Sequence, residues 1–201
     1  QIDSGKTSAS KYLTSRLTEI TGQNWTIMSY AYNVKDIFCR TFNVTREFVE
    51  EWKRKDESPP GFDQSVRKSL IFIGDGYRQI QSHYWVNLLE KELINNHCID
   101  DVRYLSEYTM VKKLGGINIL IWRAGHENNI QNDSEQQLVS YRDLCIKYNY
   151  DGFIDNIYMP QLDFFVRNDS SLELLYKKLD EKVLPVIIEK FWLNVVIGMG
   201  R

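Results

Sequence analysis

Residues 117–122 read INILIW, a run in which Asn118 is the sole polar side chain. It stands between Gly115-Gly116 and a long polar stretch, RAGHENNIQNDSEQQ, over 123–137. A strand that is apolar on both faces has to be covered on both faces, and that is the habit of parallel sheets. Parallel strands need long crossovers, and helical patterns supply them along the rest of the chain. The spacing predicts helices over 7–21, 34–42, 45–54, 65–80, 84–94, 106–114, about 135–147 and 171–191. Further strands are expected over 25–32, 97–104 and 161–169. Gly22 should close the first helix, and Thr45 and Ser106 should cap theirs. Gly74-Asp75-Gly76 reads as a weak point or break in the 65–80 helix, and Pro185 as a kink in the last. Residues 55–64, with two prolines and a glycine, form a loop. The alternation predicts an α/β fold, a parallel sheet with helices on both faces. No repeat or low-complexity segment interrupts it.

At 201 residues and 43% hydrophobic, the chain can bury one self-sufficient core. The formal net charge of −2 gives no long-range pull towards a nucleic-acid polymer or an acidic membrane. Cys39, Cys98 and Cys145 are widely spaced and odd in number, so a reducing compartment, the cytoplasm, is expected. His83, His97 and His126 are too scattered for a histidine metal site. No run of eighteen apolar residues occurs, so no membrane span is expected, and no secretory leader is read at the start. Two glycosylation sequons, at Asn43 and Asn168, carry little meaning on that reading. The many tyrosines and tryptophans read first as bulky core, with base stacking as the minority alternative.

The chemistry begins at Ser4-Gly5-Lys6-Thr7-Ser8. Gly-Lys-Thr opening an amphipathic helix is the back half of a phosphate-binding loop, whose full form is G-x-x-x-x-G-K-[ST] after a strand. Backbone N–H groups at a helix N-terminus hold phosphate oxygens. Lys6 would set a point charge on the β- and γ-phosphates, and the Thr7 hydroxyl would ligate Mg²⁺. The strand that should come first appears at the other end, where WLNVVIGMGR (192–201) runs into glycines. Joined through Arg201 to Gln1, the text has the order strand, glycine-rich loop, Gly-Lys-Thr, helix, with one residue too many between Gly200 and Gly5. The expectation is a circularly permuted order, with 193–198 as the central strand and the termini side by side. A chance tripeptide and a truncated loop are the rival readings.

Two further clusters bear charge. CIDDVRY ends a predicted strand in Asp100-Asp101, with Arg103 close behind, at the carboxyl end of the sheet where open α/β folds bind ligands. Asp101 could orient Mg²⁺, directly or through water, and Arg103 could hold a phosphate. Arg67 and Arg78 flank the Gly74–Gly76 turn, Tyr84-Trp85 follow, and Arg123 opens the polar stretch. Guanidinium forks suit phosphate. Each of these residues reads equally well as ordinary solvated surface.

Taken in order, SGKTSASKYL, YAYNVKDIF, VRKSLIFIGDGYRQ with HYWV, IDDVRYLSEYTMVKKLGG, DSEQQL and RNDSSLELL resemble the deoxynucleoside monophosphate kinases of tailed phages, related viruses and bacteria. The resemblance covers most of residues 4 to about 180. It implies a single P-loop kinase domain, with a core (1–34, 95–122 and 161–201), an acceptor-binding region of helices (about 35–94) and a lid loop (about 123–137). It implies transfer of the ATP γ-phosphate to a deoxynucleoside monophosphate, with Mg²⁺, in the cytoplasm or, for a virus, the host cytoplasm. A homodimer is compatible with it. Ser4, Gly5, Lys6, Thr7 and Ser8 would bind ATP, with Arg123 near the adenine or lid. Lys35, Arg67 and Arg78 would hold the acceptor phosphate, with Asp75 beside them. Asp101 and Arg103 would line the site, and Tyr84 and Trp85 would meet the base or pack the helix. The split loop, the long segment 146–160 and Phe72, where a polar residue is expected, depart from the pattern. The alternatives are a P-loop kinase for a ribonucleotide or phosphorylated metabolite, a nucleotide binder without turnover, and a structural α/β domain.

Overall fold

The computed structural model describes residues 4–93, 96–124, 133–154 and 159–199, with side chains described except at 133–139 and 192–199. The chain divides into two compact units. One is Gln1–Ile27 with Asn95–Arg201, and the other is Met28–Ile94, inserted between those stretches. No described helix is long and apolar enough to cross a membrane.

In the first unit, α1 (Lys6–Thr21) ends at Gly22, whose φ of 67° is the left-handed closing conformation expected of it. Two small sheets follow: β1 (Thr26–Met28) beside β2 (His97–Ile99), and β3 (Ile119–Trp122), β5 (Phe164–Arg167) and β4 (Gly152–Phe153) in that spatial order. The fold is therefore mixed α/β as expected, but two small sheets take the place of one continuous parallel sheet. β3 and β5 run parallel, with Ile119 opposite Phe164 and Trp122 opposite Arg167. β4 pairs antiparallel at the edge.

β5 explains why its sequence is apolar throughout. Phe164 and Val166 face a core with Ala9, Leu13 and Leu17 of α1 and Ile121 of β3. Phe165 faces the opposite core, with Trp122, Tyr108, Cys145 and Leu162. Successive strand residues point to opposite faces, and here both faces are covered by helices. Fully burying each such side chain is worth about 1.5–3 kcal/mol. α6 (Leu105–Lys113) and α7 (Asp133–Lys147) serve the second core; α8 (Leu172–Lys178) serves the first.

Several boundaries differ from expectation. The strand over 25–32 stops at Met28, because Tyr30 and Phe38 are the buried side of a helix, α2 (Tyr30–Phe42). The 97–104 strand stops at Ile99. Ser106 lies inside α6 and does not cap it; the buried Glu107 carboxylate accepts instead from the backbone N–H groups of Arg103 and Tyr104, at 2.7 and 3.0 Å. At the far end, Leu179–Val183 form a π-helical turn, and α9 (Leu184–Met199) continues beyond it. Pro185 has no N–H, and its ring clashes with the carbonyl four residues back, so the preceding ladder shifts register. Residues 193–198, expected as a strand, are thus helical. Gln1, Gly200 and Arg201, on which the side-by-side termini depend, lie outside the described residues, as do 125–132 of the expected lid and 155–158 of the long segment.

The second unit is helical: α2, α3 (Arg46–Trp52), α4 (Val66–Ile80) and α5 (Tyr84–Glu92). Thr45 caps α3 as its sequence predicts, accepting from the Phe48 N–H, and Ser65 caps α4 through Lys68. α4 runs unbroken through Gly74-Asp75-Gly76. The Gly74 carbonyl accepts the Trp85 indole N–H at 2.9 Å, which ties α5 to the place where a break was expected. Phe38, Val49 and Val66 are the buried centre of this unit.

Candidate functional site

α1 begins at Gly5, whose φ of 94° lies in the left-handed region. A side chain there is strained, and there is no room for one: a Cβ would stand 2.5 Å from Nδ2 of Asn168. Asn168 is the residue after β5, and its Nδ2 donates to the buried Ser4 carbonyl at 3.0 Å. Its own N–H donates to the carbonyl of Trp122, the last residue of β3, at 2.7 Å. The start of α1 is therefore fixed at the carboxyl ends of the parallel pair β3 and β5. Arg123, half-buried, is the next residue on that edge.

The N-cap residue of α1 is Gly5, so no N-cap side chain accepts from its first-turn N–H groups. The Lys6 ammonium donates to Ser4 Oγ at 3.0 Å. Thr7 is exposed and Ser8 half-buried. Ser10 Oγ donates to the Lys6 carbonyl at 2.9 Å. Ser10 and Thr14 also touch Cys98 of β2, whose thiol burial pushes upward in pKa. Beyond β2, Asp100 and Asp101 are half-buried and Arg103 is exposed.

Among the described residues no group of three or more His, Cys, Asp or Glu could hold a metal ion. A cation at this edge would be a hard one, carried largely by phosphate oxygens and water, with the Thr7 hydroxyl in reach of the same helix end. The residues fit that limited role.

In the second unit, Lys35 of α2 binds Glu50 of α3 at 2.6 Å, and Lys53 binds the same carboxylate. Burial pushes the Glu50 carboxyl up, but the two ammonium groups outweigh it and hold its pKa down to about 2. Arg78 pairs with Asp75 at 3.3 Å, three residues apart on α4, and Arg67 is exposed on that helix. Trp85 is 2% exposed and packs with Tyr77 and Tyr84, ring centroids 5.3 and 4.9 Å away. Tyr84 is half-buried in the same group.

Sequence reasoning missed Asn168 and a polar cluster at the opposite end of β5. Asp163, 4% exposed, accepts from the Lys112 ammonium at 2.6 Å and the Asn118 N–H at 2.8 Å. Asn118 Nδ2 in turn donates to the carbonyls of Tyr108 and Gln161. The available signal was a polar residue at each end of an apolar strand: Asn118 in INILIW, and Asp163 and Asn168 bracketing FFVR. No protein-family model matches the chain, and no curated protein matches it.

Proposed function

We propose that this chain is a P-loop kinase that transfers the ATP γ-phosphate to a deoxynucleoside monophosphate. One observation carries the reading: Gly5-Lys6-Thr7 opens a helix without a side-chain cap at the carboxyl edge of β3 and β5, locked there by Asn168. Helix N-terminal N–H groups and a neighbouring lysine are suited to a polyphosphate. An oxygen of the acceptor's phosphate attacks the γ-phosphorus, the bond from phosphorus to the β,γ-bridging oxygen breaks, and ADP leaves with that electron pair. Thr7, and Asp101 directly or through water, are the protein-side candidates to hold Mg²⁺, which would offset phosphate charge there. Ser4 and Ser8 complete the loop, and Arg123 is the adenine or lid candidate. Lys35, Arg67, Arg78 and Asp75 are the acceptor-phosphate candidates, Arg103 lines the site, and Tyr84 is a better base contact than the buried Trp85.

The test is ADP formation from ATP and Mg²⁺ with each of the four deoxynucleoside monophosphates, for wild type and Lys6→Ala. Acceptor-dependent ADP, reduced at least a hundredfold in the variant, is expected. ADP release that ignores the acceptor, or that survives Lys6→Ala, overturns the reading. The engagement of Lys35 with Glu50 favours a second reading, a nucleotide binder without turnover. That protein would gain thermal stability with ATP, roughly 2.7 kcal/mol at a hundred times its dissociation constant, and form no ADP.

A further inference from the structure

The seam between α2 and α3 sets two cations on one anion. Lys35 of α2 and Lys53, which closes α3, grip the two oxygens of the Glu50 carboxylate: Lys35 takes Oε1 at 2.6 Å, and Lys53 takes Oε2. The two lysine side chains are only 18% and 29% exposed. Asp36 is paired with Arg40 and Glu51 with Lys55, so neither acid offsets the surplus. The surplus registers on Lys53. Burial lowers its pKa, the Lys35 charge adds to that, and the bond to Glu50 does not make up the difference. A fold that needed only a salt link here would be served by one lysine, because a second half-buried ammonium adds repulsion.

A carboxylate brings one charge to the two ammonium groups, whereas a phosphate monoester brings nearly two. Like a carboxylate, it offers a pair of oxygens, with a third to spare. The surroundings also suit what such a phosphate would carry. Tyr32 stands three residues before Lys35, on the same side of α2, and is 60% exposed. The Arg46 guanidinium lies 4.3 Å from the centre of its ring. Arg46, Glu50 and Lys53 recur every three or four residues along α3, so they share a side of that helix. An aromatic ring is thus held one helical turn from the lysine pair, where a base linked to the phosphate can meet it.

We infer that Lys35 and Lys53 form a clamp for the phosphate of a phosphate monoester, and that Glu50 is a built-in competitor that holds the clamp until the ligand displaces it. The Glu50 side chain is 38% exposed, so it can turn out into solvent. The inference deepens the kinase reading, in which Lys35 meets the acceptor phosphate, and its choice of a nucleotide as ligand rests on that reading. Lys53 becomes the second arm of the site and Glu50 its brake. The brake gives the inference a signature. Removing a competitor tightens binding, while removing an arm of the clamp loosens it. A charge cluster that serves stability alone gives no gain in affinity when Glu50 is neutralised.

Isothermal titration calorimetry of the full chain without ATP tests this, with circular dichroism confirming that each variant is folded. The probes are inorganic phosphate, the four deoxynucleoside monophosphates and the four unphosphorylated deoxynucleosides. Glu50→Gln should bind the preferred monophosphate at least about threefold more tightly than wild type, Lys35→Met and Lys53→Met at least about tenfold more weakly, and Lys53→Arg within about threefold. Tyr32→Ala should weaken the monophosphate and spare inorganic phosphate. Equal affinities for the two, untouched by Tyr32→Ala, keep the clamp and assign it to free phosphate. A Glu50→Gln chain that binds no more tightly than wild type overturns the inference. So does a Lys53→Met chain that binds like wild type, or deoxynucleosides that bind as well as their monophosphates. Absence of binding by both wild type and Glu50→Gln up to about 10 mM overturns it as well. Turnover is scored separately. ADP formation with an acceptor affinity indifferent to Lys53→Met removes the clamp and spares the kinase reading; a clamp that responds as described in a chain that forms no ADP does the reverse.

Discussion

Asn168 and Gly5 depend on each other. Gly5→Ala must accept a left-handed φ, at about 1–2 kcal/mol, and a clash with the Asn168 amide as well. Its urea unfolding should show a loss above 2 kcal/mol. Asn168→Ala leaves the buried Ser4 carbonyl unsatisfied and should cost about 1–3 kcal/mol. In that background the clash is gone, so adding Gly5→Ala should cost less than it does alone; equal costs would show that the two residues do not touch. Glu50 sets a pH limit of another kind. Its folded pKa lies below its unfolded value near 4.5, so the unfolded chain binds the proton first. The stabilisation is complete above that value and is lost as the pH falls towards 2. With the carboxylate 38% exposed, solvent screening leaves about 1 kcal/mol. Glu50→Gln should flatten this part of the acid limb in chemical denaturation between pH 5 and 2.

The elements were legible where a period was long enough to read. α1, α2, α3, α4 and α5 stand close to where their apolar spacing places them, with Thr45 and Gly22 in their expected capping roles. Strands of three or four residues were not, because so short a run cannot be told from the neighbouring helix. YAY read as strand and became the first turn of α2. LNVVIG is rich in β-branched residues and lies in α9, so propensity gave way to the helix already running from Leu184. Gly74-Asp75-Gly76 did not break α4, for a reason no local pattern contains: the indole N–H of Trp85 holds the Gly74 carbonyl. Trp85→Phe should cost about 1–2 kcal/mol, and amide exchange should quicken over 74–80 more than over 66–72. Asp163 links the end of α6 to the starts of β3 and β5. Asp163→Ala strands the Lys112 charge and should cost about 3–5 kcal/mol in a denaturant titration.

At the scale of the molecule, the sequence conveyed the mixed α/β class and a helix opening at Gly5-Lys6, but not the pair of small sheets. Sheet size depends on which strand ends meet, and Asn118, Asp163 and Asn168 show that such meetings are fixed by polar side chains flanking the strands. The net charge of −2 carries its own prediction. Fluorescence anisotropy of a labelled single-stranded oligonucleotide should stay flat with added protein at 150 mM salt; a saturable rise would reveal a basic tract that the overall balance conceals.

The Asn168 side chain grips a carbonyl 164 positions earlier in the chain. On a ribosome adding about 5–20 residues each second, the first helix would wait roughly 8–30 s for the residue that anchors it. Throughout that interval the whole helical insertion is made and free to fold, while Leu13 and Leu17 have neither Phe164 nor Val166 to rest on. The nascent chain therefore carries the apolar side of α1 unsheltered until β5 has been made. The turn at Gly5 gains its anchor only after residue 168 has been made.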